Sequence, residues 1–517
     1  MDGLQTESNM SGQLVRSRLL VTRWGAEHAV LEGGALYVED GRVEEIGSIE
    51  ELRRGHPATE EIGDGSHLVM PGFVNSHSHG RGITTLRQGI PDDPGEVRAV
   101  GLRIGLSGDP YWDVLYTCVR QLEAGITGTM HLDTNYGYGP LESYEKRLRS
   151  LIAAYGDSGM RFSIALPFRD SSIDESYLED TFLSSLSPEI RAEIEGWRKP
   201  LPDLNGYLAL HDKLRQQFPT AHLQFEPVSV AACADEFLIT IRQQAFARGV
   251  GIQLHLSETA YQKLHAMKQF GKTTVQRLAD LGFLCSDVSC AHCVWLTKRD
   301  IGVMRETGTM VVHNPSSNLR LRSGLAPIRP MVEAGVHVAL GTDNLALNDD
   351  EDILQEVRLA QLLHSPPGLG EVPIPPTTAL LWATEAGAKV LGIQGLGSLE
   401  PGNPADLVMV QTRSIERPVF EHGHDIAASV IQWVRQADVD QVLVGGRTMV
   451  RGGRYIFRDR EELERKAYES QQQWMLTPAT RVIRSEISKR AAPEDIGGEP
   501  YYQLNSQTLA SNRSARQ

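Results

Sequence analysis

Short apolar runs alternate with longer amphipathic stretches through the middle of this chain, between about Met70 and Gly392. This repeated strand-then-helix pattern predicts parallel strands joined by helical crossovers. Eight strands are predicted, at residues 68–75, 127–132, 161–166, 222–225, 251–256, 287–291, 309–313 and 337–341. Eight is the number that a closed (β/α)8 TIM barrel needs, so the middle of the chain is predicted to form one α/β barrel.

The two ends of the chain have a different pattern, in which short strands are separated by turns. Residues 35–47 indicate a β-hairpin around Asp40-Gly41, and residues 402–410 and 442–454 show the same pattern near the other end. Because an isolated hairpin is barely stable, the two ends are predicted to pair in one small β-sandwich domain. The predicted domains are residues 1–69 and 396–460 for the sandwich, 70–395 for the barrel, and 461–517 for a C-terminal helix and polar tail.

Two further stretches depart from the barrel pattern. Residues 171–219 are long and polar with helical fragments, and we interpret them as an excursion over the barrel mouth that helps shape a substrate pocket. Residues 481–517 are polar and rich in Ser, Asn and Arg, which is typical of a tail or of an arm onto a neighbouring subunit.

Several apolar runs end in residues that commonly bind metals. His77 and His79 follow the first run, one residue apart, and side chains alternate along an extended segment, so both point to the same side. Later runs end at His255, His292 and Asp343. The C-terminal ends of barrel strands are where catalytic residues sit, so these side chains are predicted to meet at one mouth.

Each of these residues also has a structural interpretation. A single histidine at a strand end is more often a satisfied polar residue than a ligand. Asp343 fits a turn residue or a helix N-cap, and Glu258 fits a first-turn carboxylate that complements a helix dipole. The structural interpretations do not explain why these residues fall beside the other candidate ligands.

The motifs occur in an order that resembles a known family. They are Pro71-Gly72-Phe73-Val74-Asn75-Ser76-His77-Ser78-His79, His255-Leu256-Ser257-Glu258, Ala291-His292-Cys293, His313-Asn314-Pro315-Ser316-Ser317-Asn318 and Gly341-Thr342-Asp343. This set is similar to the amidohydrolase superfamily, and within it to the branch of cytosine, guanine and S-adenosylhomocysteine deaminases and triazine chlorohydrolases. The resemblance extends from about residue 19 to about residue 455.

The resemblance implies a mononuclear metal hydrolase. The metal ligands would be His77, His79, His255 and Asp343, and the ion would be divalent, with zinc expected first and iron, manganese or cobalt as alternatives. Such an ion lowers the pKa of its water, so a nucleophilic hydroxide is available at neutral pH. Asp343 would receive the proton, Glu258 would pass a proton to the substrate or leaving group, and His292 would polarise the reacting centre.

A site with two metal ions is the alternative to a site with one. Some amidohydrolases bridge two ions with a carboxylated lysine at the end of the fourth strand, but no lysine occurs between Lys213 and Lys263. Glu226 is the only nearby carboxylate that could replace it, so one ion is favoured. A second His-x-His at His422 and His424 follows no strand-like run and is interpreted as a solvated loop.

Five residues are predicted to contact substrate. His313 and Asn318 lie in a segment that resembles the one lining the pocket in the deaminase branch. His131 ends the second strand, and Arg81 follows the first histidine pair. Trp295 stands where close relatives often carry a second histidine, so purine or pyrimidine specificity does not transfer directly. Each of the five also fits an ordinary structural role.

The amino-acid composition limits which classes of binding partner are expected. Asp and Glu outnumber Lys and Arg by 66 to 51, for a formal net charge of −15, and no basic run stands out. This balance argues against nucleic acid and anionic membrane as partners, and leaves a small molecule. The five cysteines are too few for a disulfide framework, and no stretch is apolar enough for a signal peptide or membrane span, so a soluble cytoplasmic protein is expected. By analogy with the family, a homo-oligomer is also expected.

The predicted activity is hydrolysis of a non-peptide C–N bond in a small, cyclic compound. Deamination, cleavage of an amide, carbamate or urea, and dechlorination would all use the same hydroxide attack. One alternative is a binuclear cyclic-amide hydrolase of the dihydropyrimidinase or hydantoinase kind. Another is a non-catalytic scaffold with the same fold, against which the intact set of candidate ligands argues.

Overall fold

The structure is a computed structural model, and it describes most of the two predicted folding units. The described residues are 12–26, 28–57, 60–83, 86–87, 92, 108–133, 140–170, 187–189, 192, 201–230, 233–343, 350–416 and 425–472. The predicted loop with His422 and His424, the tail at 481–517 and most of the excursion at 171–219 lie outside these residues.

The strands form three sheets. In chain order they are β1 (Gln13–Arg16), β2 (Leu19–Val21), β3 (Val30–Glu32), β4 (Gly34–Glu39), β5 (Arg42–Ser48), β6 (Glu60–Ile62), β7 (His67–Pro71), β8 (Phe73–Ser78), β9 (Ile126–Leu132), β10 (Arg161–Phe168), β11 (His222–Pro227), β12 (Ile252–Leu256), β13 (Val288–His292), β14 (Met310–His313), β15 (Val338–Leu340), β16 (Leu407–Gln411), β17 (Val439–Val444), β18 (Arg447–Arg451) and β19 (Arg454–Tyr455).

The helices connect the barrel strands and cover the sheets. They are α1 (Ile49–Gly55), α2 (Pro110–Glu123), α3 (Leu141–Ser158), α4 (Leu204–Gln217), α5 (Asp235–Arg248), α6 (Ala260–Phe270), α7 (Thr274–Asp280), α8 (Lys298–Thr307), α9 (Pro315–Arg320), α10 (Ile328–Ala334), α11 (Ile353–His364), α12 (Pro376–Trp382), α13 (Glu385–Leu391), α14 (Arg413–Glu416), α15 (Ile426–Trp433) and α16 (Arg460–Gln472), with a short 3₁₀ turn at Gln436–Asp438. Among the described residues, no helix is long and apolar enough to cross a membrane.

The barrel is one parallel sheet in chain order, from β8 to β15. Its first and last strands meet at a seam, where Ser78 forms a parallel bridge with Asp343. The Asn75 side chain fastens the seam, because its Oδ1 accepts from the Thr342 N–H at 3.0 Å and its Nδ2 donates to Thr342 Oγ1 at 2.8 Å. The predicted (β/α)8 barrel is therefore confirmed.

The sandwich joins both ends of the chain, as predicted. One sheet has the order β5-β4-β1-β6, and the other has the order β19-β18-β17-β16-β7-β2-β3. The predicted hairpin is β4–β5, and both Asp40 and Gly41 have positive φ, at 48° and 76°, as the favoured two-residue turn requires. β16 from the C-terminal half pairs with β7 from the N-terminal half.

The first predicted strand, at residues 68–75, is wrong as a single element. The structure divides the run at Gly72 into β7, which belongs to the sandwich, and β8, which opens the barrel. A side chain at Gly72 would place its Cβ 2.4 Å from the Thr127 side chain, so only glycine fits at the crossing. The apolar run continues on both sides of Gly72, so hydrophobicity alone could not reveal the change of sheet.

Candidate metal centre

Four side chains converge at the C-terminal ends of three barrel strands. His77 and His79 end β8, His255 lies on β12, and Asp343 follows β15. Asp343 Oδ1 lies 3.1 Å from His79 Nε2 and 3.4 Å from His77 Nε2, and His255 Nε2 lies 3.4 Å from His79 Nε2. Within the described residues, His77, His79 and Asp343 form one group whose ligand atoms are close enough to share a metal ion.

Hydrogen bonds behind the rings determine which nitrogen faces the cluster. His79 Nδ1 lies 2.9 Å from the carbonyl oxygen of Leu132, which can only accept, so Nδ1 carries the hydrogen. His77 Nδ1 lies 2.9 Å from Gln253 Oε1, and the Gln253 amide is oriented because its Nε2 donates to the Ser76 carbonyl at 3.0 Å. In the neutral form of both rings, Nε2 therefore presents a lone pair to the cluster.

This arrangement suits a cation. Two imidazole lone pairs lie within 3.4 Å of one carboxylate oxygen, and only a positive charge between them, a proton or a metal ion, makes the contacts attractive. Burial lowers the pKa of His77 to about 4, and burial with the neighbouring histidine charges lowers the pKa of His255 well below its ordinary value. A proton is therefore disfavoured at neutral pH, and the donor set fits a divalent metal ion.

The backbone around the cluster is strained. Ser257, His292, Cys293 and Asp343 have φ values of 48°, 71°, 51° and 60°, in the left-handed region that residues with a side chain rarely occupy. Each such residue costs about 1–3 kcal/mol, and strain of this kind collects at functional sites. All four lie at the C-terminal ends of barrel strands, where they turn side chains toward the mouth.

His292 lies beside the cluster at the end of β13. It forms a second group with His77 and His255, and the ligand atoms of the three are within 4.8 Å of one another. His292 Nδ1 lies 2.9 Å from Asn318 Oδ1, so Asn318, on α9, orients the ring. The predicted substrate residue Asn318 thus contacts a predicted catalytic residue.

Glu258 lies in the turn between β12 and α6, three residues after His255. Its backbone N–H donates to Gln262 Oε1 at 2.8 Å, and its side chain is partly exposed. The turn is held because Thr259 caps α6, with its side chain accepting from the Gln262 N–H. Glu258 is therefore a partly exposed residue in the turn that follows the strand with His255.

Two of the predicted substrate residues are buried next to the histidine pair. His131 ends β9, and its Nδ1 lies 3.0 Å from the Tyr155 hydroxyl. Burial lowers the pKa of His131 to about 3. Arg81 Nε lies 3.4 Å from Asp113 Oδ2, and Asp113 also accepts the Gly82 N–H at 2.8 Å. A role for His131 and Arg81 in substrate binding stays a prediction.

His313 and Trp295 are likewise engaged with the protein. His313 Nε2 lies 3.0 Å from His364 Nε2 on α11. The Trp295 indole is buried and donates from Nε1 to the Ser323 carbonyl at 2.8 Å. Contact of either residue with substrate also stays a prediction.

Sequence reasoning missed the residues that orient the histidines. Gln253 is the clearest case, because it is a polar residue inside an apolar strand and lies two positions before His255, on the same side of β12. That alternation was the signal that could have identified it. The Leu132 carbonyl left no signal, because any residue supplies one.

The chain is similar in sequence to a known protein family and to characterised deaminases. The sequence profile described as "Amidohydrolase family" matches residues 68–449. The 5'-deoxyadenosine deaminase of Methanosarcina mazei is 28% identical over 449 residues, covering 84% of this chain and 92% of the relative. The 5-methylthioadenosine/S-adenosylhomocysteine deaminase of Thermodesulfovibrio yellowstonii is 28% identical over 473 residues, covering 88% and 97%.

Solved structures agree on the fold. An adenosine deaminase from Xanthomonas campestris with bound zinc superposes with a TM-score of 0.73 at 24% identity, covering 89% of this chain and 98% of that structure. The zinc complex of atrazine chlorohydrolase TrzN from Arthrobacter aurescens TC1 gives 0.72 at 22% identity, covering 89% and 100%. With the profile matching well over half of its length, the chain belongs to the amidohydrolase family, as a hydrolase of carbon–nitrogen bonds other than peptide bonds.

Proposed function

We propose that this protein deaminates a small ring compound with the help of one divalent metal ion, zinc in the first instance, held by His77, His79, His255 and Asp343. The proposal depends mainly on the convergence of two imidazole lone pairs on one buried carboxylate oxygen, each within 3.4 Å of it. Zinc is supported by the two zinc-containing structures with the same fold.

A divalent ion at this position would polarise a water molecule and make it nucleophilic at neutral pH. Asp343 is placed to take the proton of the attacking water, because its Oδ1 faces the histidines while its Oδ2 accepts a hydrogen bond from Ser317. Glu258, at the mouth, would carry a proton to the leaving nitrogen. His292, oriented by Asn318, would face the reacting centre and polarise it or stabilise the oxyanion that develops there.

For the substrate, we propose an adenosine-type nucleoside altered at the 5' position. The support is the names of the Methanosarcina mazei and Thermodesulfovibrio yellowstonii relatives, at 28% identity over most of both chains. Hydrolytic dechlorination of a triazine is a weaker candidate, since TrzN shares only the fold at 22% identity. An amino group and a chloride leave from the same type of electron-poor ring carbon, so both reactions suit the same attack.

A binuclear hydrolase is the second candidate. His77, His255 and His292 form a separate group that can hold an ion, which is the observation in its favour. Two ions would have to share His77, whose single free nitrogen is Nε2. One ion is therefore the better account.

We also propose a cytoplasmic homo-oligomer. All five cysteines are free thiols, as a reducing compartment requires. Leu362, Leu369 and Val372 expose 72%, 106% and 69% of their surface, and exposed apolar side chains in this part of the chain support contact with another subunit.

The experiment is a metal analysis combined with a substrate screen. The purified protein should contain close to one zinc per chain and release ammonia from adenosine, 5'-deoxyadenosine or 5'-methylthioadenosine. Pyrimidines, pterins, chlorotriazines, carbamates and phenylureas form the comparison set. Metal content near two would favour the binuclear candidate, and absence of any bound metal would contradict the proposal.

A further inference from the structure

An oxygen lies near the Nδ1 atom of each of four histidines, His77, His79, His255 and His292. For His77, His79 and His292 the oxygen is neutral: the Gln253 amide, the Leu132 carbonyl and the Asn318 amide, each at 2.9 Å. For His255 the oxygen belongs to a carboxylate, Glu226 Oε1, at 3.7 Å. His255 is therefore the only one of the four whose Nδ1 faces a carboxylate.

Glu226 is an unusual residue for its position. It lies on β11, the strand beside β12, and only 1% of it is exposed. Neither of its carboxylate oxygens has a hydrogen-bond partner among the described residues. A buried carboxylate without partners destabilises a fold, so the residue is expected to gain a partner in the working protein.

The geometry points to Glu226 as the positioning residue of His255, through a hydrogen bond that Glu226 accepts from Nδ1–H. His255 Nε2 faces His79 across the cluster, so Nδ1 is the nitrogen left for Glu226. An approach of about 0.5 Å brings the two atoms within ordinary hydrogen-bond distance. This bond would keep the lone pair on Nε2 and, through the carboxylate charge, make the ring a stronger electron donor to the ion.

The inference rests on the proposed function, because it requires a metal ion in the cluster. It differs from the assignment of Glu226 as a bridging ligand. Within the described residues, Glu226 belongs to neither of the two groups whose ligand atoms lie within 4.8 Å of one another. Its carboxylate lies on the Nδ1 side of His255, whereas the cluster lies on the Nε2 side.

The test is a graded series of variants in the full-length protein, with zinc affinity measured by competition with a chelator. Glu226→Gln keeps the shape and an acceptor oxygen, and should weaken zinc binding about tenfold. Glu226→Leu removes the acceptor and should weaken it about a hundredfold. Gln224→Met, two residues earlier on the same side of β11, is the matched control and should leave the affinity unchanged.

Two further readouts separate positioning from a merely structural role. The metal-free Glu226→Gln protein should unfold at a temperature no lower than the metal-free wild type, because the variant replaces a buried carboxyl group that has no hydrogen-bond partner among the described residues. The visible absorption spectrum of the cobalt(II) form should change in Glu226→Gln and not in Gln224→Met. A loss of metal-free stability that matches the loss of zinc affinity would overturn the inference.

Three outcomes distinguish the inference from the proposed function. If the wild type binds one ion and deaminates, yet both Glu226 variants bind zinc as tightly, only the positioning role is wrong. If the wild type binds two ions and Glu226→Leu binds one, the positioning role is wrong and Glu226 is a ligand. If the wild type binds no ion, the proposed function fails and the role of Glu226 fails with it.

Discussion

Two sets of buried histidines lie in the same barrel, and their ring nitrogens have different kinds of partner. His313 and His364 face each other through Nε2 atoms 3.0 Å apart, and one ring can donate a hydrogen to the other. His77 and His79 both donate from Nδ1 to oxygens behind them, so their Nε2 lone pairs meet Asp343 without a hydrogen to share. The atom bonded to each Nδ1, rather than burial, therefore distinguishes a candidate metal centre from a packed pair of histidines.

Removing the Asp343 carboxylate should abolish the function of the set with His77 and His79. We expect Asp343→Asn to lower kcat/KM by about 10³-fold or more, because the ion loses its only anionic ligand and the water loses its proton acceptor. Steady-state kinetics and metal analysis check this. Asp440→Asn is the control, since Asp440 also contacts a histidine, His67 at 3.0 Å, but in the sandwich. Unchanged hydrolysis in Asp343→Asn would rule out the mechanism.

Removing the ion should affect only the histidines of the proposed metal centre, and it needs no mutation. Chelation should abolish activity, which zinc should restore, and should lower the free energy of unfolding by about 4 kcal/mol relative to protein with zinc at 1,000 times Kd. Thermal unfolding with and without zinc measures the shift. The same chelation of Asp343→Asn should produce almost no shift. Equal stability of the wild type in both conditions would contradict a site in the folded state.

Changing the oxygen behind a ring should have an intermediate effect. Gln253→Leu removes the acceptor of His77 Nδ1–H, so the ring can turn or change tautomer. We expect zinc affinity to fall about 10- to 100-fold. Chelator competition measures it, with Gln224→Met as the control on the neighbouring strand. An unchanged affinity would show that His77 is held by packing alone.

Breaking the packed pair should leave the chemistry intact. His364→Leu deprives His313 Nε2 of its partner and should cost about 1–3 kcal/mol of unfolding free energy. Zinc affinity and kcat/KM should stay within about twofold of the wild type, because the two rings contact each other through Nε2 and neither belongs to a group of candidate metal ligands among the described residues. A large loss of kcat/KM would instead give His313 the substrate role that the sequence predicts.

The smallest effect is on the pH dependence of stability. Burial lowers the pKa of His364 to about 4, below the ordinary 6.5, so the unfolded chain takes up a proton between these values and the folded protein does not. Stability from this residue is complete above pH 6.5 and should fall by about 2 kcal/mol on going to pH 5. Urea unfolding at several pH values should show a flatter dependence in His364→Leu. An identical dependence would mean that other groups account for it.

The sequence predicted the residues of the candidate site better than the groups that hydrogen-bond to them. His77, His79, His255 and Asp343 each end an apolar run, and all strands of a barrel end at the same mouth, so local pattern was enough to bring them together. Their partners depend on register between strands. Gln253 on β12 reaches His77 on β8 because both side chains point into the barrel, and the Leu132 carbonyl reaches His79 because β9 pairs with β8.

Contacts between distant parts of the chain also explain the other features that the sequence did not predict. The junction at Gly72 was not predicted, because the apolar run carries no mark of a change from one sheet to another. His364 lies on α11, and its pairing with His313 depends on how that helix packs against the barrel. Packing between distant segments is set by shape, which periodicity does not encode.

The junction at Gly72 also means that the sandwich cannot be trimmed from the enzyme without consequence. The edge of β7 is held by β16 across five residue pairs, from His67 with Gln411 to Pro71 with Leu407. One residue later the same chain enters β8 and delivers the paired imidazoles. A shortened protein that ends before Leu407 would leave that edge of β7 unpaired. Because only Gly72 separates β7 from β8, the strand that positions His77 and His79 would then be less firmly held.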